Sequence, residues 1–241
     1  MRIIFIDPLF DPYSRSELLV KAAPLALIAI GLSFGFRAGV WNIGAEGQFV
    51  VGAIAGGAVG LAFWGIEAPW LLPLMAIAGA LGGFLWAMIP ALLRIRFGAN
   101  EILVSLMLVY VAELWLSALV SGGGLLNNPE GFSFPESRQF HESATVPIIL
   151  EGTRAHLGIL VAVGVAVAAY VALHAHLFGY QVRLTGAAPR AARFAGVSTN
   201  AMVALCLGLS GALAGLAGLF EAAGPVGQLV PSQSRRPGSA R

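Results

Sequence analysis

The stretch FRAGVWNIGAEGQ, residues 36–48, decides how this chain folds, because it interrupts two apolar runs with polar residues. Arg37, Asn42, Glu46 and Gln48 alternate there with three glycines, which free the backbone to leave helical geometry. Unwound backbone at membrane depth is tolerated only where it is buried in protein or lines a cavity. The stretch therefore predicts a broken segment near 37–48, with a plain cytoplasmic turn as the alternative.

The runs on either side are long enough to cross a bilayer. Hydrophobic residues make up 58% of the chain. Charged residues make up 11%, whereas about a quarter of the residues in soluble domains are charged. A helix of roughly 20 apolar residues spans the hydrocarbon layer. We predict an all-α polytopic membrane protein, with one domain over residues 1–232 and about six helices in a bundle. The predicted helices are 18–36, 48–66, 69–93, 102–121, 157–178 and 201–223.

Small residues recur at four-residue spacing along these runs. Such positions let helix backbones approach each other closely inside lipid, so they predict a compact bundle. The pairs and triplets are Gly31 and Gly35; Gly52, Gly56 and Gly60; Gly79 and Gly83; and Gly211 and Gly215.

Arginine placement predicts the orientation of the helices. Loops 94–101 and 179–200 carry five arginines, whereas the longer loop 122–156 carries two arginines and four glutamates. Positive loops face the cytoplasm, so the first two loops are predicted inside and 122–156 outside. The N-terminus then also falls outside, and residues 233–241 form an atypical polar tail. Both features led us to expect a chain that is incomplete at its two ends.

The loop 179–200 contains a second candidate site. Pro189 suits the first turn of a helix, and Gly196 suits its end. We expect a short helix over about 189–195, with Arg190 and Arg193 on its exposed side. Such a helix can dock into the groove of a partner, although an ordinary positively charged loop is an equal alternative.

Two acidic residues fall within or at the end of predicted helices. A carboxylate in lipid is costly, so it faces the bundle or a wet cavity. Glu113 is predicted to line a polar pathway or to form an internal hydrogen bond. Glu221 is predicted to be exposed near the outer interface.

The sequence lacks the residue patterns that catalysis, metal binding and nucleotide binding through a P-loop need. The sequence shows no catalytic constellation and no metal site, and His174 and His176 point to different faces of a helix. A nucleotide-binding P-loop needs a lysine followed by Ser or Thr, but Lys21, the only lysine, precedes two alanines. We expect no cofactor on this chain, and a protein that is not an enzyme.

Four stretches resemble the ABC permeases of the nucleoside and simple-sugar type, within the group that includes branched-chain amino acid and ribose permeases. They are FRAGVWNIGAEGQ (36–48), FGANEILVSLMLVY (97–110), GYQVRLTGAAPRAARFAGV (179–197) and SGALAGLAGLFEAAG (210–224). Ala187 departs from the family pattern, which commonly has a small polar residue there.

The resemblance implies a subunit that forms a path for a small polar solute, a nucleoside or simple sugar, through the cell inner membrane. Its expected partners are an ABC ATPase carrying ATP-Mg, a second permease subunit and a periplasmic or lipid-anchored binding protein. An ion-coupled secondary transporter is the rival hypothesis. The expected path residues are Trp41, Asn42, Glu46, Gln48 and Glu113. The expected ATPase-coupling residues are Arg183, Gly186, Pro189, Arg190, Ala191, Ala192, Arg193 and Gly196.

Overall fold

Eight α-helices build the part of the chain that the computed structural model describes, residues 11–131, 134–149 and 153–231. Five of them are long and apolar enough to cross a membrane, and the bent pair formed by the fifth and sixth brings the number to six. The prediction of an all-α polytopic bundle is confirmed. The helices are α1 Pro12–Arg37, α2 Ala45–Ala62, α3 Leu71–Phe97, α4 Glu101–Val120, α5 Gly158–His174, α6 Leu177–Ala187, α7 Pro189–Phe194 and α8 Thr199–Glu221.

Helices α1 and α3 extend furthest beyond their predicted bounds. Helix α1 begins six residues early because the Asp11 side chain accepts a hydrogen bond from the Ser14 N–H at 2.9 Å and thereby caps the helix. Helix α3 continues to Phe97 and ends at Gly98, whose left-handed φ of 67° suits glycine. Arg94 therefore lies in the last turn of α3, where a cation complements the helix dipole.

The predicted continuous helix over 157–178 is wrong. The chain bends by 69° between α5 and α6. His176 is extended at φ −116° and its side chain accepts from the Phe178 N–H at 3.2 Å, so it starts a new helix. Gly179 then passes so close to Leu173 that a Cβ would lie 2.2 Å from the Leu173 carbonyl oxygen. Helix α6 consequently occupies residues that we had predicted to be loop.

Helices α2, α3 and α8 meet on glycines at the centre of the bundle. A Cβ on Gly52 would lie 2.1 Å from the Cα of Gly215. A Cβ on Gly83 would lie 2.1 Å from the carbonyl oxygen of Gly211. A real Cβ essentially never comes this close to another atom, so the helices can approach each other this closely only because these residues are glycines. The small-residue packing that the sequence predicts is confirmed.

The chain beyond α8 packs against the loop between α4 and α5. A π-helical turn, Ala222–Val226, is followed by residues that pair with this loop. The Ser137 N–H donates to the Leu229 carbonyl at 3.0 Å, and the Phe140 N–H donates to the Gly227 carbonyl at 2.9 Å. Leu229 is buried. The predicted polar tail 233–241 lies outside the described residues.

Candidate functional site

The predicted break between α1 and α2 is present, and it packs against the bundle with every second residue buried. Helix α1 ends at Arg37, Gly39 turns the chain with a φ of 71°, and α2 starts at Ala45. Between them, Val40 is fully buried. A Cβ on Gly44 would lie 2.5 Å from the Ser105 carbonyl oxygen, so the segment runs directly against α4. The burial shows that this is more than an exposed turn.

Three buried polar side chains hold the broken segment to α2 and α8. The Asn42 amide donates to the Gln48 carbonyl oxygen at 2.7 Å, and the Gln48 amide donates back at 3.0 Å. Asn42 also donates to the Ser210 hydroxyl at 2.9 Å. Asn42 and Gln48, which the sequence predicts to line the path, thus form hydrogen bonds with each other.

Trp41 is separated from this buried group although it is adjacent in sequence. Its side chain is 53% exposed, and its ring packs on Phe36 with centroids 5.0 Å apart. Its backbone N–H donates to the Glu101 carboxylate at 3.5 Å. Trp41 and Asn42 therefore point to different surroundings, and the structure does not bring them together around one ring-shaped solute.

Glu46 and Glu113 do come together, because both line a cavity of about 310 Å³ between α2, α4 and α8. Glu221, Tyr110, Ser117 and Gln228 also line it, and mainly apolar residues form the rest of the wall. A mainly apolar concave site with a few polar groups is the usual form of a small-molecule site. This cavity is the candidate site for a solute.

Our prediction that Glu221 is exposed is wrong. It is 8% exposed at the end of α8, and its carboxylate accepts a hydrogen bond from the Lys21 ammonium at 3.0 Å. A buried carboxylate is retained where it is paired and hydrogen-bonded. The pair ties α8 to α1 through two residues that are 200 positions apart in the sequence.

The predicted short helix is present as α7. Pro189 occupies its first turn, and Gly196 follows it with a φ of 80°. Arg190 and Arg193 are exposed with Ala191, whereas Ala192 is fully buried and anchors the helix. Helix α7 thus presents two guanidinium groups on its free face.

The residues around α7 fix it to the bundle. Arg183 donates to the Leu173 carbonyl at 2.8 Å and so connects α6 to α5. A Cβ on Gly186 would lie 2.2 Å from the Arg37 carbonyl oxygen, so α6 also touches the end of α1. Helix α6, which directly precedes α7, therefore contacts both α5 and the end of α1.

Sequence reasoning missed three contributors to these sites. The role of Ser210 could have been predicted from the sequence, because a hydroxyl within an apolar helix is typical of an interhelical hydrogen bond. The Lys21–Glu221 pair and the position of Gln228 depend on the packing of distant helices, and no local pattern marks them.

A multi-helix membrane bundle with a broken helix, a mainly apolar cavity that contains three carboxylates, and an exposed basic helix is typical of membrane transport subunits. The chain belongs to the family described as the branched-chain amino acid transport system / permease component, whose sequence model matches residues 14–234.

Curated relatives agree with that assignment. The chain is 37% identical to the glucose ABC transporter permease protein TsgB13 of Haloferax volcanii over 94% of this chain and 61% of the relative. It is 35% identical to the guanosine ABC transporter permease protein NupP of Bacillus subtilis over 88% of this chain and 60% of the relative. The nucleoside ABC transporter permease protein NupB of Lactococcus lactis is 25% identical, over 96% and 65%.

The chain therefore spans about three-fifths of the length of these relatives. No solved structure matches the chain significantly.

Proposed function

We propose that this chain is a permease subunit of an ABC importer in the cell inner membrane and that it carries a nucleoside or a simple sugar. The observation that supports the proposal most strongly is the exposed basic helix α7, packed through α6 against the end of α1. This is the arrangement needed to pass a partner's movement into a membrane bundle.

The cavity fits a neutral solute with several hydroxyl groups. The carboxylates of Glu46, Glu113 and Glu221 accept hydrogen bonds from hydroxyls and repel anions. The rings of Phe49 and Tyr110 offer apolar surface to a sugar ring or a base. Glucose and guanosine, the solutes in the names of two relatives, both combine these features.

The energy source is a separate ATPase subunit, since this sequence contains no P-loop. Helix α7, with Arg183, Gly186 and Gly196 beside it, is the surface that contacts the ATPase. A second permease subunit and a binding protein complete the proposed transporter. The family match favours this hypothesis over an ion-coupled transporter working through Glu113.

Co-purification tests the proposal. The tagged full-length subunit and its ATPase should purify together from membranes, and the double variant Arg190→Glu and Arg193→Glu should lose the ATPase while the bundle still folds. Arg138→Glu, in the loop between α4 and α5, reverses a charge away from α7 and should retain it. Retention of the ATPase by the α7 double variant, or solute uptake by this chain alone with a proton gradient, would contradict the proposal.

A further inference from the structure

A second cavity lies beside α7 and is separate from the candidate solute site. Its volume is about 240 Å³. It is formed where the ends of α1, α3 and α6 meet the starts of α7 and α8. Its lining includes Gly39, Arg94, Thr185, Pro189, Thr199 and Asn200.

Thr185 is the residue that makes this cavity more than a packing gap. It is 3% exposed, and its hydroxyl has no hydrogen-bond partner among the described residues. A buried hydroxyl without a partner costs free energy. Its place in the cavity wall indicates that a bound group supplies the missing partner.

Two groups at this cavity can attract an anion, the start of α8 and the Arg94 guanidinium. Helix α8 begins at this cavity, and no acidic residue lies in its first turn, so the positive end of its dipole is uncompensated from within the helix. The ends of α1, α3 and α6 carry the opposite sign; Arg37 and Arg94 lie in the last turns of α1 and α3, and the last turn of α6 has no basic residue. Arg94 also pairs with Glu101, whose carboxylate holds the guanidinium in place and offsets part of its charge, so an anion would share Arg94 with Glu101.

We propose that this cavity binds an oxyanion of the phosphate class. The Arg94 guanidinium supplies charge-assisted hydrogen bonds, which guanidinium groups form well with phosphate oxygens. The Thr185 and Thr199 hydroxyls and the Asn200 amide supply further donors, with the start of α8 behind them. A free phosphate and the headgroup of an anionic lipid share this chemistry.

Because Pro189 and Gly39 both line the cavity, its occupant touches the start of α7 and the turn of the broken segment at once. A bound oxyanion would stabilise the contact between these two elements. The proposal depends on the geometry of this cavity alone and stands whether or not the chain transports a nucleoside or a sugar.

The test is a calorimetric titration, in which inorganic phosphate is added to the purified full-length protein in nanodiscs of phosphatidylcholine. Thr185→Val keeps the shape but removes the hydroxyl, so it should weaken phosphate binding about tenfold or more, the effect of losing a hydrogen bond to a charged group. Thr185→Ser should retain binding. Arg94→Gln should weaken binding, and Arg138→Gln, in the loop between α4 and α5, should not.

A second arm separates the two sources of the oxyanion. Phosphatidylglycerol in the nanodiscs should compete with phosphate in the parent protein if the lipid headgroup is the occupant, and should leave phosphate binding unchanged if free phosphate is. Either result supports the proposal when Thr185→Val weakens phosphate binding about tenfold or more. An absence of saturable binding in both kinds of nanodisc, or equal binding by Thr185→Val and the parent, would overturn it.

Discussion

Asn42 and Gln48 exchange two hydrogen bonds, of 2.7 and 3.0 Å, across the break between α1 and α2. Asn42 is 2% exposed and Gln48 is 1% exposed, so neither amide has water as an alternative partner. The pair closes the broken segment onto the first turn of α2.

Removing one amide of this pair should destabilise the bundle. Asn42→Leu leaves the Gln48 side chain buried without its partner, which costs about 1–3 kcal/mol. The double variant with Gln48→Leu removes both amides and should cost less than the sum of the two single variants. Thermal unfolding in detergent measures the three changes, and additive losses would show that the pair does not act as a unit.

The glycine contacts at the bundle centre should be intolerant of a single methyl group. Gly52→Ala places a Cβ 2.1 Å from the Gly215 Cα and forces α2 away from α8, a change that costs about 1–3 kcal/mol.

Gly164→Ala is the matched control, because a Cβ at that position of α5 meets nothing within 4 Å. It should be neutral or stabilising by up to about 1 kcal/mol. Equal unfolding temperatures for the two variants would contradict the close approach of α2 and α8.

The Lys21–Glu221 pair should contribute modestly to stability. Glu221→Gln removes the charge that pairs with Lys21, and because the Lys21 side chain is 62% exposed, we expect a loss of only about 1 kcal/mol. Glu130→Gln, in an ion pair whose glutamate is 79% exposed, should change stability by less. A larger loss for Glu130→Gln in thermal unfolding would show that the Glu221 pair does not anchor α8.

Acid should destabilise the protein through His156. This ring is 3% exposed, and burial lowers its pKa below the usual value, although Glu221 opposes the shift. The folded state therefore binds fewer protons than the unfolded state. The contribution of neutral His156 to the free energy of unfolding is complete above the unfolded pKa of about 6.5, and it is lost as the pH falls below that value.

The measurement is the unfolding midpoint between pH 8 and pH 5. His156→Gln should flatten its pH dependence, whereas His174→Gln, at an exposed ring, should leave the dependence as in the parent. A pH dependence unchanged by His156→Gln would contradict this assignment.

The fold was predictable from the sequence because length, apolarity and glycine spacing are local properties. The break at 36–48 and the helix at Pro189 were predictable for the same reason, since glycine and proline act on their own turns. The bend before Leu177 was not predictable from apolarity, because the apolar run that contains α5 continues across the bend to Phe178. Glu221 was misplaced because its burial depends on Lys21, which lies 200 residues away.

The most direct test of the central claim asks which side of the membrane α7 faces. Cys206, the single cysteine, is buried, so Arg190→Cys adds one exposed thiol to an otherwise unreactive chain. A membrane-impermeant maleimide should label this thiol in inverted vesicles and not in whole cells. Leu125→Cys, at a residue that is 92% exposed between α4 and α5, should show the opposite pattern. Labelling of the Arg190→Cys thiol in whole cells would place α7 out of reach of a cytoplasmic ATPase and contradict the account.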